Sequence, residues 1–439
     1  MRRDQMTYND RIPRYYTAGE IAGADRIPEL YAVTSHLVFS SPATLAYNSP
    51  GAEGFGVKRA GLAVPDSVML IVSPGCCGRN TSSLSSLEQY RRRFFYLEMD
   101  ETDLVTGRHL EAVPQAVKEI TDSLEKKPSV VMICATCVDA LLGTDWDRVC
   151  RRAEEEAGVR VRPCYMYALT REGTRPPMVH VRQSLYSLLN KRRRDSRAVS
   201  LLGFFAPVKE TSELFYYLHL SGIRNIREIS RCRDYAGFEE MAEANFNLVL
   251  NPEARPAADD LSERLGIPYV ELSRFYDPDR IHRQYKAFFQ VIGLKTEEEE
   301  QLWKSTSAIV DHFHKVRPGL TISVGESVNA DPYELALALA GRGAIVKEVF
   351  GTVTEENRGY ISRLAQTSPD TRLYSNQDPT MLFYEDASSD IDLTIGKDAH
   401  YYHPGAKHLY WNEDIQPFGY SAVRELYSQM EQILGTGNA

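Results

Sequence analysis

The sequence lacks the features of a membrane or exported protein. Its 439 residues contain no run of ~18 apolar residues, the length that a membrane-spanning helix needs. The first residues, MRRDQMTYNDRIPRYY, are not followed by the apolar segment of a signal peptide. We therefore expect a cytoplasmic protein that does not contact a membrane.

The sequence also lacks an excess of positive charge and a nucleotide-binding loop. Its net charge is -9, and its one basic block, residues 191–194, is typical of a solvated linker. A nucleic-acid partner is therefore not expected. No segment has the form Gly-x-x-x-x-Gly-Lys-Ser/Thr, because Gly396-Lys397-Asp398 lacks the upstream glycine and the hydroxyl residue. We expect that the chain itself does not hydrolyse ATP.

Three successive segments repeat the order of apolar strand, turn and amphipathic helix. In the first, the apolar runs at residues 68–72 and 130–133 predict buried strands on either side of a helix over residues 112–124. Similar alternations begin at Val199 and Leu320. This order favours parallel sheets, so we predict an α/β fold of three doubly wound Rossmann-like domains around a central cleft. The predicted domains are residues 1–194, 195–316 with a connecting helix, and 317–439.

Seven cysteines are an odd number in a chain without a secretory signal, so a disulfide framework is not expected. Cys76 and Cys77 follow the first apolar run, and Cys134 and Cys137 follow the second. Because the carboxyl ends of neighbouring parallel strands share one sheet edge, these four sulfurs are predicted to converge. Such a set suits an iron–sulfur cluster, a zinc site or a redox pair, and the residues alone leave these open. The other three are expected to be buried apolar residues: Cys150, Cys164 and Cys232.

Short segments around both cysteine pairs carry a family resemblance. They are residues 73–78 (SPGCCG), 95–107 (FYLEMDETDLVTG), 136–145 (TCVDALLGTD), 183–185 (QSL), 247–269 and 417–420 (PFGY). In this order they resemble the nitrogenase component 1 family. That family includes the nitrogenase subunits, the dark-operative protochlorophyllide and chlorophyllide reductases and the nickel-sirohydrochlorin reductive cyclase. The resemblance covers nearly the whole chain.

The resemblance implies an iron–sulfur cluster, most simply [4Fe–4S], at the interface of two subunits. The residues that it places at the cluster are the ligands Cys77 and Cys137, the additional cysteines Cys76 and Cys134, and the flanking Gly75 and Gly78. If Cys76 and Cys134 also bind, a larger cluster is the alternative to [4Fe–4S]. The implied partners are a related subunit in a homodimer or heterotetramer and a separate ATP-binding iron–sulfur reductase protein. The implied substrate in the cleft is a small molecule or a tetrapyrrole-like ring.

The chain departs from the family at several positions. Residues 45–52 lack the family's further cysteine, Asn251 stands where a cofactor cysteine is expected, and residues 411–417 lack a histidine. Ser187 stands where nitrogenases carry a histidine after Gln-Ser-Leu. We therefore do not expect this chain to hold an iron–molybdenum cofactor or to reduce dinitrogen.

Side chains near predicted strand ends are candidates for binding or protonating a substrate. They are Arg79, His180, Arg182, Gln183, Tyr186, His400, His403 and His408. His400 and His403 are either a metal pair, proton donors or exposed loop histidines. Three functions follow: a catalytic reductase component, which we prefer, a non-catalytic scaffold for cluster or cofactor assembly, and a small-molecule-binding protein with a zinc knuckle.

Overall fold

The computed structural model describes residues 12–28, 41–43, 56–75, 85, 87–136, 138, 142–166, 176–385 and 390–435. The chain folds into two compact units. The first unit comprises residues 1–49, 208–221 and 274–439, and the second comprises residues 50–207 and 222–273. In the described part of the chain, no helix is long and apolar enough to cross a lipid bilayer.

The strands and helices alternate along most of the described chain. The strands are β1 (Tyr16–Thr17), β2 (Val68–Ser73), β3 (Phe94–Glu98), β4 (Val130–Ala135), β5 (Arg160–Tyr165), β6 (Asp195–Leu202), β7 (Asn225–Glu228), β8 (Ala244–Val249), β9 (Tyr269–Glu271), β10 (Thr321–Val324), β11 (Ile345–Phe350), β12 (Arg372–Tyr374), β13 (Leu393–Ile395) and β14 (Lys407–Leu409). The α-helices are α1 (Ala18–Gly23), α2 (Val57–Gly61), α3 (Glu101–Thr106), α4 (His109–Ser123), α5 (Trp146–Ala157), α6 (Pro177–Tyr186), α7 (Glu213–Leu220), α8 (Tyr235–Glu239), α9 (Arg255–Leu265), α10 (Pro278–Ile292), α11 (Glu298–Val316), α12 (Pro332–Ala340), α13 (Glu355–Thr367), α14 (Lys397–Tyr402) and α15 (Gly419–Leu434).

The second unit contains two four-stranded parallel sheets, with strand orders β3-β2-β4-β5 and β7-β6-β8-β9. Every residue of the inner strands β2 and β4 is buried. Their continuous apolar runs follow from this position, because an inner parallel strand is covered on both faces. The strands predicted at residues 68–72 and 130–133 are therefore confirmed.

The side chains of β2 and β4 alternate between two apolar cores. On one face Leu70 and Ile133 pack in a core with Val117 of α4 and Val149 of α5. On the other face Ile71, Met132 and Cys134 pack in a core with Ala60 of α2 and Leu185 of α6. This alternation with a period of two residues fixes the strand register, since a slip of one residue exchanges the faces.

The first unit contains one six-stranded sheet with the order β1-β12-β11-β10-β13-β14. The strands from β12 to β14 are parallel, and the short β1 is antiparallel to β12. The predicted α/β fold with parallel sheets is therefore confirmed. Three sheets lie in two compact units, and the division into three domains stays a prediction.

One segment differs locally from its sequence resemblance. Residues 95–107 resemble a family loop, but residues 95–98 belong to strand β3 and Glu101–Thr106 form helix α3, which Asp100 and Asp103 cap reciprocally and which Gly107 ends at a φ of 70°. Helix α9 begins at Arg255 with Pro256 in its first turn, a position that suits proline because the missing N–H would have no partner within the helix there.

Candidate functional site

The carboxyl ends of β2 and β4 lie side by side. Val72 of β2 pairs with Ala135 of β4, and the Thr136 hydroxyl donates a hydrogen bond to the Val72 carbonyl oxygen over 3.2 Å. Cys137 directly follows Thr136, and the other cysteine segment follows β2 after Pro74 and Gly75. The strand ends therefore meet at one sheet edge, as a site built from the two segments requires.

Four of the predicted cluster residues lie outside the described residues: Cys76, Cys77, Gly78 and Cys137. Their roles stay predictions. A set of thiolates after two adjacent strand ends has the ligand chemistry that an iron–sulfur cluster needs. Val72, Ala135 and Thr136 join the two strand ends from which these segments continue.

Gly75 leads from β2 into the first cysteine segment. A Cβ atom added to Gly75 would lie 2.5 Å from Oε1 of Glu98, the last residue of β3. Glycine was predicted there to let the backbone approach the sulfurs. Glu98 is exposed, so its flexible side chain can move away from a larger residue at position 75. Sequence patterns did not single out Glu98.

Cys134 does not lie past the end of its strand, contrary to the sequence prediction. It is the fifth residue of β4, its exposed fraction is 0%, and it packs in the core with Met69 and Cys164. β4 extends two residues beyond the apolar run because the small Cys134 and Ala135 side chains fit the core. We therefore do not include Cys134 among the cluster ligands that we propose below.

The cysteines without cysteine neighbours mostly behave as predicted. Cys150 and Cys164 are buried, and burial raises the pKa of both thiols, that of Cys150 to about 12. Neither is therefore a thiolate near neutral pH. Cys232 is only partly buried, and its thiol donates to the Glu228 carbonyl oxygen over 3.3 Å.

Arg182, a candidate for substrate binding, is engaged inside the second unit. Its Nε and Nη2 atoms donate to the Gly203 carbonyl oxygen over 2.9 and 2.7 Å. Its Nη1 atom donates to Met178 and forms a 2.8 Å ion pair with Glu253. Burial lowers the pKa of this guanidinium, and Glu253 opposes the shift. Arg182 thus ties α6 to the carboxyl ends of β6 and β8, a structural role.

The other candidates on α6 face different surroundings. The His180 ring lies 5.1 Å from the Tyr165 ring at the end of β5, and burial raises the pKa of Tyr186. Gln183 and Ser187 line a cavity of about 530 Å³ between α5, β5, α6 and α9, together with Arg162. Its volume is that of a small-molecule pocket, and its lining mixes carboxylates with guanidinium groups.

His400 and His403 point to different partners. The His403 ring is 1% exposed, and its Nε2 atom lies 2.7 Å from Glu348 and 3.0 Å from the Tyr384 hydroxyl. The expectation of an exposed loop histidine is wrong for His403. His400 instead stacks on His408, with ring centroids 4.2 Å apart. Among the residues that the structure describes, no group of three or more His, Cys, Asp or Glu could hold a metal ion.

The stacked pair predicts a loss of stability in acid. Burial, followed by the charge of His400, lowers the pKa of His408 to about 4. The unfolded chain, with a histidine pKa near ~6.5, therefore binds more protons between about pH 4 and 6.5, and stability falls as the pH falls through this window. Because His408 is only half-buried, we expect His408→Gln to remove about 1 kcal/mol of that fall. Urea unfolding at pH 7 and pH 4.5 measures this loss of stability in the wild type and in His408→Gln. An equal loss in the two proteins would contradict the role of His408.

The comparisons with known proteins agree with the motif order. The model of the nitrogenase component 1 type oxidoreductase family matches residues 53–402. The iron-molybdenum cofactor biosynthesis protein NifE of Clostridium pasteurianum is 25% identical over 261 residues, 58% of this chain and 55% of that protein. The NifE proteins of a Nostoc species and of Klebsiella pneumoniae are 27% and 28% identical over 260 and 254 residues.

The chain spans about half the length of these curated relatives: 55%, 53% and 54% of the three NifE proteins. A solved structure titled nitrogenase Cp1 at pH 6.5 has a TM-score of 0.68 at 15% identity, over 94% of this chain and 96% of that chain. A second, of nitrogenase Cp1 at pH 5, has a TM-score of 0.62 at 16% identity. At these identities the likeness shows the fold, and the family model assigns the family. The chain belongs to the nitrogenase component 1 type oxidoreductases.

Proposed function

We propose that the chain is the catalytic component of a nitrogenase-like, ATP-dependent reductase. In this proposal Cys77 and Cys137 bind a cluster, most simply [4Fe–4S], and a second subunit supplies the remaining two thiolates. When bound, such a cluster accepts and donates single electrons at low potential. The observation that carries the proposal is the register of β2 against β4, since the two cysteine segments follow neighbouring strand ends.

In this proposal the residues around β2 and β4 position the two cysteine segments and do not themselves react with a substrate. The hydrogen bond from Thr136 to Val72 joins the two strand ends, one residue before Cys137 and five residues before Cys77. The buried inner strands give these ends a rigid base, which a precisely placed ligand set needs. As the family resemblance implies, a separate P-loop iron–sulfur protein delivers the electrons in this proposal, and this sequence contains no such loop itself.

A second candidate function is a non-catalytic scaffold for cluster or cofactor assembly. The printed names of the curated relatives, which are cofactor biosynthesis proteins, favour it. The contacts of two candidate catalytic residues also favour it. Arg182 is hydrogen-bonded to the Gly203 carbonyl oxygen and His403 to the Glu348 carboxylate, so both side chains are already bonded within the protein. A scaffold needs to bind and release a cluster and does not need a proton donor.

Anaerobic electron transfer separates the two candidates. The oxidised, purified complex is mixed with a chemically reduced P-loop iron–sulfur ATPase that has been freed of excess reductant, and the cluster's paramagnetic resonance signal is followed with and without ATP. A reductase component gains the signal only with ATP and loses it again when an oxidising substrate is added. A scaffold transfers iron to an apo-acceptor protein without that cycle. Cys77→Ala is the control, because it lacks one of the two proposed cluster ligands. A signal that never responds to ATP would contradict the reductase function.

A further inference from the structure

The cavity of about 530 Å³ in the second unit lies beside the edge strand β5. The strand residues that line it, 161–163, pair with residues 131–133 in the middle of β4 and not with its carboxyl end. Helices α5 and α9 and the last turn of α6 form its other walls. Its volume is within the range of small-molecule sites, so it is a candidate binding site separate from the cysteine segments.

Charged side chains from three elements surround this cavity. Residues 147, 150, 151 and 154 of α5 line it, and their spacing places them on one face of the helix. The charged groups of the lining are three carboxylates and three guanidinium groups, so their formal charges cancel. They belong to Asp147, Glu154, Asp260, Arg151, Arg162 and Arg264.

Contacts from α5 and from the end of α6 hold Arg162 at the cavity wall. Its Nε atom donates to the hydroxyl of Ser187, directly after α6, over 3.2 Å. Its Nη1 atom donates to Oε2 of Glu154 over 2.8 Å and to the Val161 carbonyl oxygen over 2.7 Å. Within the described part of the chain, no hydrogen bond uses Nη2 of Arg162 or Oε1 of Glu154. A donor and an acceptor that can bind a ligand therefore lie side by side.

A second arginine of the lining is also held in place. Arg264 donates from Nη1 to the Leu189 carbonyl oxygen over 2.5 Å and from Nη2 to that of Tyr186 over 3.2 Å. It also forms an ion pair with Asp260 over 2.9 Å. Two guanidinium groups are thus fixed before a ligand arrives, which reduces the ordering cost of binding.

The mixed charge of the lining indicates which ligand fits. An anion without a positive group would be repelled by the carboxylates, and a cation without a negative group would be repelled by the guanidinium groups. A molecule that carries both charges on neighbouring atoms can pair its carboxylate with Arg162 and its ammonium group with Glu154. We propose that this cavity binds a small zwitterion of the α-amino acid class. The inference does not depend on the proposed function, because it uses no residue of the cysteine segments.

Ligand binding to the intact chain tests this site. Saturation-transfer NMR with a mixture of the twenty standard amino acids identifies a binder, and titration calorimetry measures its dissociation constant. Two analogues of that amino acid are titrated in parallel: the N-acetylated form, which lacks the ammonium charge, and the decarboxylated amine. We expect each analogue to bind about tenfold more weakly or less, because each leaves a charged group of the site without its partner.

Variants of the lining connect the binding to this cavity. Arg162→Gln is expected to weaken binding about tenfold or more, and Gln183→Ala, which keeps the pair of Arg162 with Glu154, to weaken it severalfold. Arg152→Gln is the matched control and is expected to bind as the wild type does. Arg152 lies on the same helix and pairs with Glu156 over 2.7 Å, but it does not line the cavity.

The thermal unfolding midpoint of each variant shows whether it folds. Should Arg162→Gln fail to fold, Gln183→Ala and the two analogues still decide the question. The proposal is overturned if none of the twenty amino acids binds to the wild type, or if either analogue binds as tightly as the amino acid. It is also overturned if folded Arg162→Gln and Gln183→Ala both bind as Arg152→Gln does.

Discussion

Replacing Arg280 by methionine is expected to lower the free energy of unfolding by about 3 kcal/mol at pH 9 and by less at pH 6. The side chain of Glu334 on α12 is 1% exposed, and Arg280 Nη1 donates to its Oε1 over 3.0 Å. The guanidinium lies 3.9 Å from the centroid of the Phe275 ring and 4.7 Å from that of the Tyr360 ring. Removing it leaves a buried carboxyl group with the Tyr276 backbone N–H as its neighbour.

The pH dependence follows from the direction of the pKa shift. Burial raises the pKa of Glu334 to about 8, and Arg280 acts in the opposite direction. A raised pKa means that the folded chain binds the proton more tightly, so stability falls as the pH rises from about 4.5 to the folded value and then levels off. Without Arg280 the folded pKa is higher, and the fall continues above pH 8. The difference between the two proteins therefore widens with pH.

Denaturant unfolding at pH 6 and pH 9 measures this difference. Arg283→Met is the matched control, since Arg283 is an exposed residue of the same helix, and its effect is expected to stay within about 0.5 kcal/mol. The double variant Arg280→Met with Glu334→Gln is expected to recover part of the loss, because it removes the unpaired acid. A loss that is equal at both pH values would contradict the ion-pair account.

Replacing Gly419 by alanine is expected to cost about 3 kcal/mol of stability. Gly419 has a φ of 75°, and an added Cβ would collide with the Glu213 carboxylate and lie 2.8 Å from the Tyr285 hydroxyl. Glu213 is half-buried and accepts from the backbone nitrogens of Tyr420 and Ser421 over 2.6 and 3.1 Å. It thereby caps α15, whose positive N-terminal end favours a carboxylate.

Gly293→Ala separates the two components of this cost. Gly293 ends α10 at a φ of 67°, and an added Cβ there would meet no atom within 4 Å. It therefore reports backbone strain alone, about 1 kcal/mol. Displacement of Glu213 adds the cost of unsatisfied N–H groups. Thermal unfolding of both variants measures the difference, and equal losses would show that the contact with Glu213 contributes nothing.

The inner strands were predictable from the sequence, and the edge strands of the same sheet were not. β2 and β4 are continuous apolar runs because both faces are covered. β3 has a short apolar run, Phe94–Leu97, but it follows three arginines and ends at Glu98, and β5 reads Arg-Val-Arg-Pro-Cys-Tyr. Both are edge strands with partly exposed residues, so neither shows the pattern of a strand that is covered on both faces. Local patterns therefore identify the centre of this sheet and miss its borders.

Local sequence patterns also predict only part of the candidate site. The positions of the two cysteine segments after strand ends followed from apolar runs, and the register of β2 against β4 agrees with them. Glu98 lies beside Gly75 because β3 pairs with β2, and the motif at residues 95–107 does not predict that pairing. The surroundings of His403 depend on Glu348, 55 residues away in the sequence, and on Tyr384. Such long-range partners leave no trace in local spacing.

We propose that Cys77 and Cys137 bind an iron–sulfur cluster. Quantitation of iron and sulfide, with paramagnetic resonance of the reduced protein, tests it on anaerobically purified wild type, Cys77→Ala and Cys137→Ala. Cys150→Ala is the control, because that thiol is 3% exposed in the core next to α4. We expect the wild type and the Cys150→Ala control to be brown and to contain iron, and we expect Cys77→Ala and Cys137→Ala to lose the cluster. A full cluster in both Cys77→Ala and Cys137→Ala, or a colourless wild type that contains zinc, would contradict it.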